Sequence, residues 1–520
     1  MSDLFASGSP AVVGAVDGDR LDCDIAILGS GMGGATLAWA LRNSSARVLV
    51  VERGDFLKRE EENWSPSAVF VDHRYKNAEP WEDGETGRTF DPGVHYYVGG
   101  NTKVFGASLP RFREEDFGVL QHPDGISPAW PIRYAEIEPH YGAAERLYMV
   151  HGTPGGDPTE PWRSTDYPFP ALPHEPSIAE LETSLSEQGL RPYATATGVD
   201  RREGGRCIRC RTCDGFPCKV DAKSDAEVCA MLPALMSGSV RLLTRCYVER
   251  LETSADGTEV TEALLVRDGT PLRLRAARFS VACGAVNSAA LLLRSASAHH
   301  ERGLGNSSGL VGRNYMVHNS TFFMAVDPRR RNTVNFQKTL GMNDWYLAGG
   351  DRKFPLGNLQ MLGKLQGPML KAARKWLPMP VADYVGQHSV DVYLTTEDVP
   401  DPENRVELGP SGRIRVHWKT NNLETHRELV RRTSRVFRRI GYPVILTQRM
   451  DIAVNSHMCG TAVMGEDPAR SVLNPSCRAH DLENLWLVDS SCFPSSAALN
   501  PALTIAANAL RVAAEGGIVP

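Results

Sequence analysis

The chain has 520 residues, of which 42% are hydrophobic and 23% charged, and this size and composition predict a globular protein of two or three domains. Its net charge of -5 gives no reason to expect nucleic acid or an anionic membrane as a partner. No apolar stretch approaches the roughly twenty residues of a membrane span, and residues 1–20 lack the pattern of a secretory signal. We therefore expect a cytoplasmic protein with no membrane span.

Residues 24–52 predict a βαβ unit that binds a dinucleotide. An apolar run at residues 25–28 indicates a buried strand, and Gly29, Gly31 and Gly34 follow at the spacing of a phosphate-binding turn. Gly29 allows the tight turn, Gly31 lets the backbone approach a pyrophosphate, and Gly34 lets the next helix pack closely on the strand. A second apolar run ends at Glu52, whose carboxylate can accept hydrogen bonds from a ribose. Together these features predict an adenine dinucleotide site.

The part of the chain that follows is less regular. Residues 56–97 are polar and aromatic, which indicates a long excursion across the surface or over a site. A glycine-rich turn occupies residues 98–107, and a helical pattern covers residues 178–188. Residues 330–385 show no clear period, so the sequence predicts no elements there.

Four cysteines, Cys207, Cys210, Cys213 and Cys218, lie within twelve residues of one another. Such density is compatible with an iron–sulfur cluster, although the spacing departs from the ferredoxin run. Zinc fits less well, because its ligand pairs are usually separated by a longer loop. A tight loop with free thiols or one disulfide is the third interpretation, and the sequence leaves all three open.

The next segment predicts a β-meander with strands at residues 240–243, 247–251, 259–267, 272–275 and 279–282. The last strand runs into residues 282–285, Ala-Cys-Gly-Ala, which indicate a second turn that approaches a cofactor. Further strands are predicted at residues 390–395 and 414–418, and an amphipathic helix at 423–440. The arginines of that helix are better explained by a solvated surface than by an anion site.

The C-terminal residues hold the second strong motif series. Residues 457–465 read His-Met-Cys-Gly-Thr-Ala-Val-Met-Gly, and an apolar strand at 485–488 ends at Asp489. The segment from Asn500 to Thr504, Asn-Pro-Ala-Leu-Thr, then opens a final alanine-rich helix. An acid at a strand end and a polar turn before a helix N-terminus are suited to contact a flavin.

These motifs resemble those of the glucose–methanol–choline (GMC) oxidoreductases, flavoenzymes that bind FAD and oxidise alcohols. The resemblance covers residues 24–52, 99–102, 282–285 and the terminal series. It implies that His457 and Asn500 are the catalytic pair facing flavin N5, in the His/Asn version of pyranose and cholesterol oxidases. It also implies these cofactor-binding residues: Gly29, Ser30, Gly31, Gly34, Glu52, Gly100, Asn101, Thr102, Val248, Asp489, Pro501 and Thr504.

The resemblance also bears on how FAD is held. Fungal pyranose oxidases attach FAD through a histidine shortly after the Gly-Gly turn, and the corresponding position here is Val104. We therefore expect non-covalent FAD.

The predicted function is FAD-dependent oxidation of a hydroxyl group on a sugar, glycoside or similar polyol, aminoglycoside-like alcohols included. A histidine suits the acceptor of the hydroxyl proton while hydride passes to flavin N5, and an amide can hold the substrate oxygen. Oxygen or another acceptor then takes the electrons. Flavin chemistry on a sterol or an amine is the alternative. A nucleic-acid-binding module, built on the arginines at residues 201–211, is a more distant one.

The predicted fold class is α/β, α+β overall, with a Rossmann-like FAD-binding domain and an inserted substrate domain of a sheet covered by helices. We assign residues 1–115, 203–318 and 456–520 to the discontinuous FAD domain. Residues 116–202 and 319–455 then form the substrate domain.

Overall fold

The computed structural model describes residues 11–14, 16 and 18–519, and their fold is mixed α/β. The α-helices in chain order are α1 Met32–Leu41, α2 Pro66–Phe70, α3 Tyr134–Leu147, α4 Pro176–Glu187, α5 Leu232–Leu235, α6 Ala285–Arg294, α7 Gly367–Ala373, α8 Met379–Gln387, α9 Leu423–Arg439 and α10 Ala502–Glu515. Short 3-10 helices cover Glu61–Trp64, Gly100–Lys103, Glu114–Phe117 and Ser490–Cys492, and a π-helix covers Glu227–Met231.

The strands have two to twelve residues and come from every part of the described chain. In chain order they are β1 Arg20–Leu28, β2 Val48–Val51, β3 Trp81–Asp83, β4 Thr89–Phe90, β5 Leu120–His122, β6 Gly125–Ser127, β7 His151–Gly152, β8 Phe169–Pro170, β9 Pro192–Ala194, β10 Val240–Leu243, β11 Cys246–Thr253, β12 Val260–Arg267, β13 Thr270–Val281, β14 Asn319–Val326, β15 Leu340–Met342, β16 Asn358–Met361, β17 Ser389–Thr396, β18 Arg405–Leu408, β19 Ile414–His417, β20 Val444–Arg449 and β21 Leu485–Leu487.

The first large sheet contains the predicted βαβ unit. Its seven strands among the described residues follow the order β10-β2-β1-β13-β12-β11, and β21 pairs with β13. Strand β1 is parallel to both β2 and β13, so its C-terminal end lies at the centre of the sheet. The four residues of β2 are all buried, as expected for an apolar strand covered on both faces. The last four residues of β1, Ile25 to Leu28, are buried as well, so the glycine turn that follows β1 begins at a packed strand end.

The predicted meander is correct for β11, β12 and β13, which pair antiparallel in sequence order. Two details of the predicted meander were wrong. Residues 240–243 pair in parallel with β2 rather than joining the meander. Residues 272–275 and 279–282 belong to one strand, Thr270–Val281, because β1 pairs along almost its whole length and holds the intervening residues extended.

The second large sheet has six strands in the order β20-β14-β17-β16-β15-β9 within the described residues. Helix α9 covers it, and the rings of Phe437 and Phe323 meet at a centroid distance of 5.3 Å. The region without a readable pattern, residues 330–385, forms β15, β16, α7 and most of α8. Its two strands have only three and four residues, too few for a sequence period to show.

The two sheets draw on separate stretches of sequence. Strands of the first lie within residues 20–281 and 485–487, and strands of the second within residues 192–194 and 319–449. This division supports the assigned domain boundaries, which stay a prediction.

Candidate functional site

A cavity of about 610 Å³ is lined by residues of both sheets and of both ends of the chain. Its volume falls in the range of roughly 300–1,000 Å³ typical of ligand and cofactor pockets. The cavity brings together most of the predicted site residues: His457, Asn500, Gly29, Ser30, Gly31, Glu52, Gly100, Asn101, Thr102, Val248, Asp489 and Pro501. Gly34 and Thr504 lie outside its lining. The hydroxyl of Thr504 instead pairs with the Tyr141 hydroxyl at 2.7 Å, so its cofactor role stays a prediction.

The first glycine turn has the geometry that its sequence predicts. Gly29 has a φ of +104°, which glycine adopts without steric cost. A Cβ on Gly34 would lie 2.0 Å from the carbonyl oxygen of Gly29, so the close approach of α1 to the turn requires glycine. No side chain caps α1 at Gly31, which leaves the N–H groups of its first turn available to an anion.

Glu52 connects this turn to the end of β2. Its carboxylate accepts hydrogen bonds from the backbone N–H of Ser30 at 3.1 Å, from the Ser30 hydroxyl at 2.6 Å and from the N–H of Gly54 at 2.8 Å. Burial raises the pKa of Glu52, and these three donors oppose that rise. The side chain is held rigidly at the cavity wall, where the ribose was predicted to bind.

The second glycine turn packs directly on the first. The backbone N–H of Gly99 donates to the carbonyl oxygen of Ser30 at 3.2 Å. The Asn101 side chain bonds to the backbone of the preceding loop, and the Thr102 hydroxyl accepts from the N–H of Ala226 at 3.0 Å. The turn is therefore fixed from both sides.

Asp489 joins the C-terminal segment to the turn after β13. Its carboxylate accepts hydrogen bonds from the backbone N–H of Gly284 at 2.9 Å, from the Ser288 hydroxyl, and from the N–H of Ser491 at 2.8 Å. The acid at the end of β21 thus organises two cavity-lining turns, as its position at a strand end suggests.

His457 and Asn500 line the cavity from neighbouring parts of the C-terminal segment. Nδ1 of His457 lies 3.2 Å from Nδ1 of His318, and the ring of Tyr393 stands edge-on at 6.2 Å. Burial, together with His318, lowers the pKa of His457 to about 3, so its imidazole is neutral at physiological pH. Oδ1 of Asn500 is buried and has no hydrogen-bond partner among the described residues. Buried polar atoms are normally paired, so this acceptor is suited to a ligand.

His318 is the site residue that sequence reasoning missed. It is 1% exposed and has a φ of +67°, a left-handed conformation that costs roughly 1–3 kcal/mol outside glycine. The carboxylate of Asp398 stabilises this backbone by accepting from the N–H groups of Val317 at 2.8 Å and His318 at 3.0 Å. No local sequence pattern predicts such a residue, because its conformation depends on an acid that lies 80 positions further along the chain.

The second sheet supplies the other end of the cavity. Phe322, Tyr393 and Met361 line it with apolar surface, and Gln360 adds an amide whose oxygen accepts from the Ser108 hydroxyl at 2.8 Å. Such a mixture of aromatic and neutral polar groups can contact both the faces and the hydroxyls of a sugar ring.

The cysteine-rich segment forms part of the cavity wall. Buried Lys223 holds it in place by donating to the carbonyl oxygens of Phe105 at 2.8 Å, Cys213 at 2.7 Å and Phe216 at 2.8 Å. Asp214 reaches the cavity and pairs with Lys338 at 2.8 Å. In the part of the chain that the structure describes, no group of three or more His, Cys, Asp or Glu side chains is placed to hold a metal ion. Neither metal interpretation of the four cysteines gains support among the described residues.

Comparisons with known proteins decide the family. Models described as GMC oxidoreductase match residues 176–320 and 400–509, and a model described as an NAD(P)-binding Rossmann-like domain matches residues 27–58. The 6'''-hydroxyparomomycin C oxidase of Streptomyces lividus is 31% identical over 96% of this chain and 94% of its own length. The paromamine 6'-oxidase of Streptomyces fradiae is 30% identical over 96% and 91%.

The chain belongs to the GMC oxidoreductase family. The fold agrees: pyridoxine 4-oxidase from Mesorbium loti superimposes with a TM-score of 0.66 at 20% identity, over 95% of this chain and 99% of that one. Membership confirms the predicted Rossmann-like α/β fold, the enzyme class and the FAD-dependent oxidation of hydroxyl groups. It leaves the nucleic-acid-binding alternative without support.

The residues of this GMC oxidoreductase fit FAD. The uncapped N-terminus of α1 and the open backbone at Gly31 suit the pyrophosphate, and a Cβ built on Gly31 meets nothing within 4 Å. Glu52, the predicted ribose acceptor, and Val248, a predicted cofactor-binding residue, both line the cavity.

Two neighbouring glycines provide a matched test of this fit. We expect Gly31→Ala to fold normally, because φ at Gly31 is −68° and the added methyl group meets no protein atom within 4 Å. The methyl group enters the space needed by the pyrophosphate, so FAD affinity should fall at least about tenfold, or about 1.4 kcal/mol. Titration of the apoprotein with FAD measures this change.

Gly33→Ala is the control with the opposite outcome. Its Cβ would lie 2.1 Å from the carbonyl oxygen of Val488, so the variant should lose about 1–3 kcal/mol of unfolding free energy. Equal FAD affinity in Gly31→Ala and the unaltered protein would contradict the assigned pyrophosphate position.

Proposed function

We propose that this enzyme oxidises a hydroxyl group of a sugar or glycoside, with amino-sugar glycosides as the first class to test. His457 is the base and Asn500 its orienting partner. The observation that carries the proposal is their shared placement: both line the cavity that the glycine turns also line, and the amide oxygen of Asn500 has no partner among the described residues.

Each residue of the proposed site has a separate role in the reaction. Neutral His457 takes the proton of the substrate hydroxyl on the ring nitrogen that does not contact His318. Asn500 holds the same substrate oxygen and does not compete for the proton. When bound, FAD supplies the redox chemistry by accepting the hydride from the substrate carbon. Tyr393 and Phe322 add aromatic surface to the cavity wall.

The substrate class is supported by two independent observations. The relatives named above carry the names of a hydroxyparomomycin oxidase and a paromamine oxidase. In addition, the cavity wall presents neutral hydrogen-bonding groups, among them Ser108, Thr195, Thr197 and Gln360. The hydroxyls of Ser108, Thr195 and Thr197 each donate to a protein oxygen, and their lone pairs can accept hydrogen bonds from the hydroxyls of a sugar.

We propose that FAD is held without a covalent bond. Val104 lines the cavity and has no side-chain nucleophile, which supports the proposal. His95 also lines the cavity, and burial lowers its pKa to about 4. Release of FAD into solution on heat denaturation is the expected result, and retention on the chain would assign the attachment to a residue such as His95.

The cellular location and the electron acceptor of the enzyme are also proposals. No helix among residues 18–519 is long and apolar enough to cross a membrane. We propose a cytoplasmic enzyme from its composition, with oxygen or another acceptor that the experiment below distinguishes.

Anaerobic reduction of the bound flavin tests the function. We expect bleaching of the flavin absorbance by sugars, glycosides or aminoglycosides that carry the reactive hydroxyl, and none by analogues with an amine or hydrogen in its place. Admission of air or of a dye then identifies an oxidase or a dehydrogenase. Bleaching by sterols or amines alone would contradict the proposed substrate class.

A further inference from the structure

The imidazole of His318 contacts that of His457, the proposed base. The other contacts of His318 indicate which nitrogen of His457 carries a proton. Nε2 of His318 lies 3.0 Å from the carbonyl oxygen of Ser496. A carbonyl oxygen only accepts hydrogen bonds, so Nε2 of His318 carries a proton. With His318 neutral, as the proposal below requires, its second nitrogen is an acceptor, and Nδ1 of His318 offers its lone pair to His457.

This arrangement fixes the proton on His457. The two Nδ1 atoms are 3.2 Å apart, and a hydrogen bond between them needs one donor. Since Nδ1 of His318 is the acceptor, Nδ1 of His457 carries the proton. Nε2 of His457 is therefore the unprotonated nitrogen, with no hydrogen-bond partner among the described residues.

We propose that His318 is a positioning residue that holds His457 in the tautomer in which Nε2 is the base. The inference rests on the proposed function of His457 and adds the residue that prepares it for the reaction. When His457 gains the substrate proton on Nε2, Nδ1 keeps its own proton and its hydrogen bond to Nδ1 of His318.

His318 also connects the two members of the catalytic pair. Ser496, its acceptor, belongs to the turn that leads into Asn500, and the hydroxyl of Ser496 donates to Asp398 at 3.1 Å. The same Asp398 carboxylate holds the left-handed backbone of His318. One carboxylate therefore fixes both the residue behind His457 and the turn before Asn500.

Nitrogen NMR of the holoenzyme, labelled with ¹⁵N-histidine, reads the tautomer directly. The resonances of His457 are assigned as those lost in His457→Ala. We expect Nδ1 with the shift of a protonated ring nitrogen and Nε2 with that of an unprotonated one. The opposite pattern in the unaltered enzyme would overturn the proposal, whether or not any variant folds.

Two substitutions at His318 add a functional readout. His318→Phe keeps the ring and removes the acceptor, whereas His318→Asn keeps an acceptor and tolerates a left-handed backbone. We expect the Phe variant to shift His457 toward the Nε2–H tautomer and to lower the rate of flavin reduction by about 10²- to 10⁴-fold, with little change in KM. The Asn variant should retain the Nδ1–H tautomer and recover most of the rate.

The outcomes separate this inference from the proposed function. A Phe variant with bound FAD, an unchanged His457 tautomer and an unchanged reduction rate would overturn the role of His318. If no alcohol reduces the flavin of the unaltered enzyme, the proposed function fails, and the NMR result still decides which nitrogen of His457 carries the proton.

Discussion

Replacing His457 with alanine should slow anaerobic flavin reduction by about 10²- to 10⁴-fold while FAD stays bound. The expected loss follows from the position of the imidazole in the cavity wall, from its neutral state, and from the free ring nitrogen opposite His318. Stopped-flow absorbance of the flavin measures the rate with the substrate that the panel identifies. FAD content, measured on the same samples, shows whether the cavity is intact.

The pH dependence of the same reaction provides a second measurement. Burial lowers the pKa of His457 to about 3, so the base is unprotonated at every pH above that value. The rate of reduction should therefore show no decline between pH 8 and pH 5, where a solvated histidine with a pKa near about 6.5 would become protonated. A fall in rate centred near that ordinary value would show that His457 titrates as an exposed group.

Two further variants serve as comparisons for His457→Ala. His299 is exposed, and His299→Ala should leave the reduction rate unchanged. Asn500→Ala removes the amide that orients the substrate oxygen and should lower the rate less than loss of the base. An unchanged rate in His457→Ala would contradict the assignment of His457 as the base. Another cavity residue would then be the acceptor of the substrate proton.

The parts of the fold that sequence predicted are those fixed by local contacts. Gly29, Gly31 and Gly34 specify a turn within a few residues of themselves, and the flanking apolar strands fix its place in the sheet. The same holds for α9, whose apolar face repeats along one helix. His457 and Asn500 were found by resemblance, and in the structure both line the same cavity as the turn that lies more than four hundred residues earlier.

The parts that sequence missed depend on distant partners. The contact of His318 with Ser496 spans 178 positions, and its left-handed backbone depends on Asp398. The cysteine-rich segment is held by Lys223, whose ammonium group donates to three carbonyl oxygens. In both cases a single buried polar side chain satisfies several backbone groups, and no periodic pattern marks such a residue.

Replacing Lys103 with methionine should produce the largest loss of stability among these variants. Its ammonium group is 2% exposed and lies 2.8 Å from Asp225 and 2.7 Å from Glu227, both of which are buried. Methionine fills a similar volume but leaves two buried carboxylates with one cation, Arg59, at 2.9 Å from Glu227. Removing one partner of a buried ion pair typically costs about 3–5 kcal/mol of unfolding free energy. Urea denaturation followed by fluorescence measures the loss.

The pH dependence of that loss identifies its cause. Burial raises the pKa of Glu227, and Lys103 opposes this rise, so the pKa of Glu227 should be higher still in the variant. A carboxyl group whose pKa is higher in the folded state binds more protons there, and its folded form loses stability as pH rises. The difference from the unaltered protein should therefore be larger at pH 8 than at pH 5.

A surface ion pair distinguishes this effect from a general response to lost charge. Arg47 pairs with Asp24 at 2.8 Å, but both side chains are solvated, so Arg47→Met should leave the denaturation midpoint almost unchanged.

The position of Lys103 also connects stability to function. Lys103 ends the Gly100–Lys103 turn, and its Cδ would lie 3.0 Å from a Cβ on Gly99. Lys103→Met should weaken FAD binding together with stability. A variant as stable as the unaltered protein at pH 8 would contradict the role of Lys103 as the partner of the two buried carboxylates.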